Sequence, residues 1–371
     1  MRLADEDYCR ELLSTGATLA FQFDGLRPEA YTVLRGNADI LPMKLKALEN
    51  IRKYARSQIA LSYTIGRGIN DSQLSDFFDF CHERRDFIGT VHFVPLAKTW
   101  DNYDVDVHWV EEERLTVEDV EKLISDNLGE TVEFLPAGAL SVPAPLQWIE
   151  KQISLFEGVH PNCESVAFMI STGSRYASVS RFMKASLFEM MVDVKKQERR
   201  MSAPTHQATQ TRRRLPLPLT RVGSFIERSV HFAKYGFIFL RHFDFTALFK
   251  GQERGRLLKF GRLLSTLPSR GNRMETLKKV TGLGPILRLL VVPYQDHSQH
   301  ESCRLERCRS AMAFVDPDTD SVNAVPLCTW NNYRNELLPK IAGVYEQNRQ
   351  EPFLASAQEA TDVSELAVIE N

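Results

Sequence analysis

Cysteine is the residue type in this chain whose spacing most restricts the chemistry it could perform. The 371 residues contain six cysteines, and these are scattered rather than clustered. Such spacing fits free thiols or metal ligands in a reducing compartment better than a disulfide framework. Two of them fall on the apolar faces of predicted helices, where we expect buried core thiols. These two are Cys9 and Cys81; the other four are Cys163, Cys303, Cys308 and Cys328.

Polar residues at the ends of three apolar segments form a second candidate site. The segments 19–23, 58–65 and 90–94 are predicted to be β-strands separated by helices, which indicates βαβ units and a parallel sheet. Ligands bind at the carboxyl ends of parallel strands. Either these ends line a site, or their polar and glycine residues only form turns. They carry Asp24-Gly25, Thr64 to Gly68 and His92 to Leu96.

Apolar stripes and capping residues predict the helices that connect these strands. One stripe comprises Leu45, Leu48, Ile51 and Ala55, and the next comprises Leu74, Phe77, Phe78 and Cys81. Asn70-Asp71 is predicted to cap the second of these helices. Thr116 and Asp119 are predicted to form a capping box at the start of a later one.

The net charge of −2 hides an uneven distribution of charge. Residues 195–290 contain 21 Lys+Arg against 5 Asp+Glu, which favours an anionic partner: phospholipid headgroups, a phosphorylated substrate, nucleic acid or the acidic remainder of the chain. Residues 222–265 interleave aromatic and basic side chains, a pattern that suits an anionic membrane surface or single-stranded nucleic acid. Core packing would explain part of it, because Leu257, Phe260, Leu263 and Leu264 form a helical stripe. No apolar run is long enough to span a bilayer, so we expect a cytoplasmic protein with, at most, peripheral membrane contact.

Several motifs occur along the chain in a recognisable order. They are FDGLRPEAY at 23–31, Leu34-Arg35-Gly36, KLKALEN at 44–50, Gly68-Ile69-Asn70-Asp71, RLTVEDV at 114–120, His160-Pro161-Asn162-Cys163, and Cys308 followed by PLCTWN at 326–331. Together they resemble the second half of a radical S-adenosylmethionine (SAM) domain, and the tetraether lipid synthase branch is the nearest group. The resemblance touches most of residues 1–335 and is weakest in the basic middle.

The resemblance implies an α/β fold: half of a parallel βα barrel followed by a mixed α/β, helix-rich C-terminal extension. Enzymes of this kind hold a [4Fe–4S] cluster on a Cys-x3-Cys-x2-Cys loop, where bound SAM yields a radical that abstracts hydrogen. This sequence has no such spacing. We therefore expect either an N-terminal truncation, which the well-kept second half favours, or a shortened paralogue that lost the chemistry.

The reaction class that the resemblance implies is radical hydrogen abstraction with C–C bond formation or methylation. The substrate would be apolar and lipid-like, or pterin-like. The alternative is a non-catalytic paralogue that binds anionic membranes or, less expectedly, nucleic acid. SAM would be bound only if the missing half were supplied.

The resemblance also suggests site residues. Gln22 and Asp24 match positions near the SAM ribose, and Thr64, His92 and Pro95 face the same mouth of the barrel. The loop 96–100 departs from the small glycine-containing loop of related enzymes, which leaves substrate contacts there undefined.

Three cysteines match ligands of an auxiliary [4Fe–4S] cluster: Cys163, Cys308 and Cys328. Cys303 is the candidate for a fourth thiolate, because residues 156–159 lack the cysteine that related proteins often place there. Zinc would accept the same ligands, with His160 or His297 as nitrogen donors.

The domain boundaries that follow are 1–110 for the half barrel, 111–200 for a post-barrel extension and 201–218 for a linker. They continue with 219–295 for a basic, aromatic-rich helical region, 296–353 for a cysteine-containing element and 354–371 for a flexible tail.

Overall fold

The structure, a computed structural model, divides into two compact units. The first comprises residues 1–96 and 109–294, and the second comprises residues 97–108 and 295–371. The residues that it describes are 2–97, 114–136, 159–202, 233–248, 281–295, 300–316 and 318–348, with the isolated positions 255, 261 and 278.

A mixed seven-stranded sheet organises the first unit. Its order is β1-β2-β3-β7-β5-β4, with β6 paired to β5. The first four strands in this order run parallel, and β4 and β6 as well as β7 run antiparallel to β5. The strands are β1 Ala20–Gln22, β2 Ile59–Ile65, β3 Ile88–Pro95, β4 Leu135–Pro136, β5 Ser165–Ser171, β6 Tyr176–Ser178 and β7 Ile286–Val291.

The helices of this unit begin and end at residues suited to those positions. Pro28 starts α2, and Gly36 ends it with a φ of 71° that favours glycine. The predicted capping box of Thr116 and Asp119 is confirmed at α5. The helices are α1 Glu6–Ser14, α2 Pro28–Arg35, α3 Ile40–Tyr54, α4 Leu74–Glu83, α5 Val117–Leu128, α6 Leu187–Ser202 and α7 Phe245–Leu248.

The predicted cap at Asn70 is wrong. A 3-10 turn at Asp71–Gln73 precedes α4, and the Asn70 side chain makes no capping bond to it. Its amide instead bonds to backbone groups of β2, of the loop after β2 and of the segment after β1. Tertiary partners have therefore replaced the local capping partner that the sequence indicated.

One face of the sheet packs against α1 to α5 and forms the main core. Residues on this face include Phe23, directly after β1, and Tyr63 and Phe93 within β2 and β3, all fully buried. The predicted core thiols are confirmed, because Cys9 and Cys81 are both fully buried in this cluster. The predicted stripes on α3 and α4 also face this core.

The opposite face is covered unevenly. Around β4, β5 and β7 it packs against α6 through Leu135, Val166, Leu187 and Leu290. Over β1 to β3 the residues on this face include half-buried polar side chains, namely Gln22, Ser62, Thr64 and His92. The result is a polar surface on the parallel strands beside an apolar, helix-covered surface.

The chain is α/β, as predicted, but its sheet crosses the predicted domain boundaries. Strand β5 lies in the segment 111–200, and β7 lies in the segment 219–295 that was expected to be helical. Because β7 pairs with β3, the predicted half barrel does not end at β3 in the described part of the chain. Whether the parallel strands belong to a larger barrel stays a prediction.

The second unit contains a β-hairpin flanked by helices. Its described elements are α8 Ser302–Glu306, β8 Ala311–Val315, β9 Val322–Pro326 and α9 Leu327–Asn348. Within the described residues, none of the helices combines the length and apolar character needed to cross a membrane.

Candidate functional site at the ends of the parallel strands

A row of polar side chains crosses the three N-terminal parallel strands at one level. Gln22 pairs in register with Ser62, and Ser62 pairs with His92. Since side chains alternate along a strand, these three lie on the face opposite to the main core. All three are half-buried, so this face presents hydrogen-bonding groups that solvent or a ligand can reach.

Arg35 connects three of the side chains at this edge. Its Nε donates to Asp24 Oδ2 at 2.9 Å, and its Nη2 donates to Thr64 Oγ1 at 2.8 Å. With its side-chain amide flipped, Gln22 Oε1 accepts from the Arg35 guanidinium. The structure therefore brings Gln22, Asp24 and Thr64 together through Arg35, which lies at the end of α2. These three residues were predicted from the sequence to line one site.

Asp24 is positioned to orient the side chain of Arg35. Its side chain is fully buried, and its carboxylate accepts from Arg35 and from the Thr64 backbone N–H at 3.0 Å. Arg35 is 28% exposed. An aspartate engaged in this way orients the guanidinium, and Arg35 is a charged group with access to the polar face.

Asn70 and Gln73 fix the two loops that carry this edge. Asn70 Nδ2 donates to the Asp24 carbonyl at 2.9 Å and to the Thr64 carbonyl at 2.8 Å. Gln73 Oε1 accepts from the backbone N–H groups of Leu26 and Arg27. Because buried backbone groups must be paired, these two amides hold the ends of β1 and β2 in one arrangement.

Lys44, on α3, contacts the end of β1 from the side of the main core. Its Nζ donates to the Gln22 carbonyl at 2.6 Å and lies over the rings of Phe21 and Tyr31. Burial lowers the pKa of this lysine, although the Asp24 carboxylate acts in the opposite direction. Among the described residues β1 pairs only with β2, so Lys44 satisfies a carbonyl of an edge strand.

His92 is the titratable group at the centre of the polar face. Burial lowers its pKa, and the positive charge of Arg288 on β7 lowers it further. The imidazole is therefore neutral at pH 7 and has a nitrogen that can accept a hydrogen bond. Pro95 pairs with Ile65 and is buried, and strand alternation places it on the face opposite to His92.

The segments that carry two of the predicted metal ligands, Cys308 and Cys328, lie side by side in the second unit. The backbone N–H of Leu327 donates to the Ser310 carbonyl at 2.9 Å at the open end of the β8–β9 hairpin, which brings the segments of Cys308 and Cys328 together. Cys308 Sγ donates to the Ser310 carbonyl at 3.0 Å. Burial raises the pKa of Cys328, while a hydrogen bond from the Gln295 backbone and the charge of Arg304 lower it.

The remaining predicted ligands lie on other elements. Cys303 is exposed on α8, and Cys163 lies in the first unit in a 3-10 turn that the His160 side chain caps. Within the described ranges, no three His, Cys, Asp or Glu side chains form a metal-binding group. His297, residues 98–100 of the predicted loop, and most of the segments 201–218, 219–295 and 354–371 lie outside the described residues.

Comparison with known proteins gives one informative similarity. Over 207 residues the chain is 26% identical to the 7,8-dihydro-6-hydroxymethylpterin dimethyltransferase of Methanocaldococcus jannaschii. No protein-family model matches the chain. The similarity supports the radical SAM superfamily. It does not single out the tetraether lipid synthase branch. The matched region is 53% of this chain and 40% of that relative, so the chain spans about two fifths of the relative's length.

Sequence reasoning missed the roles of several polar residues at this site. Arg35 and Asn70 belong to quoted motifs, but their partners Asp24 and Thr64 are up to 46 residues away. Lys44 appeared only as part of a helix. A buried-polar signal does exist, since Lys44 stands in an otherwise apolar stripe with Leu41, Leu48 and Ile51.

Proposed function

We propose that this chain supplies the substrate-facing part of a radical SAM methyltransferase that acts on a pterin-like substrate. The observation that carries the proposal is the similarity to a 7,8-dihydro-6-hydroxymethylpterin dimethyltransferase. It favours a pterin over the lipid-like substrate that the sequence left open. A pterin is a planar heterocycle rich in hydrogen-bond donors and acceptors. Such a ligand needs polar protein groups held in fixed positions.

The polar face of β1 to β3 offers suitable partners. Gln22, Ser62 and His92 present an amide, a hydroxyl and a neutral imidazole in one row. Arg35 supplies a cation at the strand ends, held by Asp24. These groups can form hydrogen bonds with the ribose and carboxylate of SAM. They can equally form hydrogen bonds with the donor and acceptor edge of a pterin.

The chain's own cysteines do not fit the catalytic cluster. Nowhere in the sequence do three cysteines have the Cys-x3-Cys-x2-Cys spacing. SAM bound to such a cluster would supply a radical that abstracts hydrogen. We assign no such step to residues of this chain; their part is to bind and orient the substrate and to exclude water.

Equilibrium dialysis with 7,8-dihydro-6-hydroxymethylpterin and, separately, S-adenosylhomocysteine tests the proposal. We expect saturable binding of at least one ligand. Ser62→Tyr would fill the polar face and weaken binding about tenfold or more, since overpacking costs about 1–3 kcal/mol. Ser14→Tyr, at an exposed helix end, is the matched control. Binding of neither ligand, or equal binding by both variants, would refute the proposal.

We further propose that Cys308 and Cys328 are two ligands of a metal site, either an auxiliary [4Fe–4S] cluster or zinc. The pairing of their two segments at one end of the hairpin, and the backbone hydrogen bond to the Cys328 sulfur, support this proposal. Metal analysis and absorbance spectra after anaerobic reconstitution would identify the metal. Cys308→Ser and Cys328→Ser should each lose it, and Cys9→Ala, at a core thiol, should retain it. Equal metal content in all three variants would exclude these two ligands.

A further inference from the structure

A cleft between α6 and the helical residues 233–242 lies outside the site at the strand ends. It has a volume of about 630 Å³, which is in the range of small-molecule sites. It lies on the face of the sheet opposite to the main core, since α6 packs on Leu135, Val166 and Leu290. Its polar lining comprises Asp193, Lys196, Gln197, Lys234 and Arg241, and its apolar lining comprises Ala233, Phe237 and Ile238.

Positive charge exceeds negative charge in this cleft. Lys196, Lys234 and Arg241 supply three cations, and Asp193 is the one carboxylate among the lining residues. That carboxylate is already engaged, because it accepts from His242 Nε2 at 2.9 Å and lies 3.4 Å from Arg241 and 3.6 Å from Lys196. Asp193 thus gathers two of the cations at the cleft while leaving the net charge positive.

Gln197 supplies a second and independent observation. Its side chain lines the cleft and is only 5% exposed. Among the described residues its Nε2 has no hydrogen-bond partner. A buried donor left unpaired destabilises the fold, and an acceptor that binds to it removes this cost. A buried amide donor beside three cations is the arrangement that an oxyanion satisfies.

We infer that this cleft binds the phosphate group of an organic phosphate ester. The cations neutralise the phosphate, Gln197 Nε2 donates to one of its oxygens, and the apolar residues contact the esterified body. Phe237 is 68% exposed at the cleft, so it is available for that contact. The inference does not depend on the proposed radical chemistry, because none of these residues belongs to the polar face of β1 to β3.

Thermal unfolding and dialysis of the full chain with inorganic phosphate, at matched ionic strength in chloride, provide the first test. We expect phosphate to raise the unfolding temperature and to bind saturably. Gln197→Met should weaken phosphate binding about tenfold or more, because it removes a hydrogen bond to a charged oxygen. The same variant should be as stable as wild type, or more stable, without phosphate because it removes an unpaired buried donor.

Variants that remove a positive charge from the cleft provide a second, independent test of phosphate binding. Lys234→Gln and Arg241→Gln should each weaken phosphate binding about threefold to fivefold, as expected for exposed charges. Lys46→Gln removes the same charge from α3, on the opposite face of the sheet, and should leave binding unchanged. No phosphate binding by wild type, or equal losses in the cleft variants and in Lys46→Gln, would overturn the inference.

The two sources of a phosphate ester are distinguished by the probe. Glycerol 1-phosphate represents a soluble ester, and phosphatidylcholine vesicles with or without phosphatidylglycerol represent a lipid headgroup. Binding of glycerol phosphate without vesicle binding identifies a soluble ligand. Vesicle binding that requires phosphatidylglycerol and is reduced in Phe237→Ser identifies a headgroup. Binding of inorganic phosphate with neither ester would show that the apolar lining has no part, and it would overturn the ester inference.

Discussion

The pair of Asp24 and Arg35 shows how one buried charge sets the polar face. Asp24 has no solvent exposure, and its two carboxylate oxygens together accept from Arg35 and from the Thr64 backbone. A buried carboxylate is tolerated only when it is paired and hydrogen-bonded. Arg35 in turn bonds to Thr64 and Gln22. The orientation of the rim therefore depends on a residue whose side chain has no solvent exposure.

We expect Asp24→Asn to lower the free energy of unfolding by about 2 kcal/mol. The amide keeps one acceptor for the Thr64 N–H but loses the ion pair, and Arg35 recovers part of the loss through its exposed fraction. Urea unfolding measures the change. Asp39→Asn, at an exposed aspartate that makes no capping bond, is the control. A loss no larger than that of the control would show that the ion pair does not stabilise the fold.

Glu6 gives a prediction on pH. Hydrogen bonds from Lys53 and then from Tyr54 lower its pKa to about 2. Because the folded pKa lies below the unfolded value, the stabilisation is present above about pH 4.5 and is lost as pH falls toward 2. Glu6→Gln should therefore be less stable than wild type at pH 6 and equally stable near pH 2.

Urea unfolding at several pH values checks this dependence. Glu11→Gln, an exposed carboxylate on the same helix, is the control and should show no comparable difference between pH 6 and pH 2. A Glu6→Gln deficit that is the same at both pH values would contradict the assigned cause.

At the scale of elements, the turn after β1 depends on a close approach. Gly25 has a φ of 120°, and a Cβ there would lie 2.9 Å from Gln73 Oε1. That oxygen accepts from two backbone N–H groups of the same turn. A side chain at Gly25 would therefore strain the backbone and also displace the amide that pairs the turn.

We expect Gly25→Ala to destabilise the chain more than Gly16→Ala does. Gly16 also has a positive φ, of 83°, but a Cβ there would meet nothing within 4 Å. The Gly16 variant should lose about 1–2 kcal/mol from backbone strain alone, and the Gly25 variant should lose more. The difference in urea unfolding free energy isolates the contact with Gln73. Equal losses would show that Gln73 can move at no cost.

The elements were predicted best where apolar spacing decides the structure. The strands β1 to β3 and the stripes of α3 and α4 follow from local pattern, and the structure confirms them. The strand β7, Ile286–Val291, lay in a segment predicted to be helical, because a six-residue apolar run does not distinguish a strand from a buried helix. Its identity depends on pairing with β3 and β5, which no local pattern contains.

The candidate site was predicted only in part, because local sequence patterns do not contain long-range contacts. Strand ends pointed to Gln22, Asp24, Thr64 and His92, because parallel topology places such ends together. The sequence could not show that the Asp24 carboxylate forms an ion pair with Arg35 or that the Asn70 amide bonds to two separate segments. It also could not show that Pro95 lies on the face of the sheet opposite to His92. Each of these facts depends on contacts between segments far apart in the chain.

At the scale of the whole molecule, the sheet makes the N-terminal segment dependent on later strands. Leu287, Leu289 and Val291 of β7 are fully buried in the core formed with β1 to β3. A fragment of residues 1–110 would expose the edge of β3 and the apolar residues that β7 covers. We therefore expect this fragment to aggregate or to lack cooperative unfolding.

Circular dichroism and thermal unfolding of that fragment would test the dependence. A chain truncated after residue 295, which keeps β7, is the control and should retain cooperative unfolding. A fragment of 1–110 that is monomeric and unfolds cooperatively would contradict it, and would support the domain boundary predicted from the sequence.

We propose that the polar face of β1 to β3 is the ligand-binding surface of this chain. The most direct test is a crystal structure of the chain with 7,8-dihydro-6-hydroxymethylpterin or S-adenosylhomocysteine. We predict ligand density over the row of Gln22, Ser62 and His92, within hydrogen-bonding distance of Arg35. Well-defined ligand density elsewhere, with this row exposed to solvent, would contradict the claim.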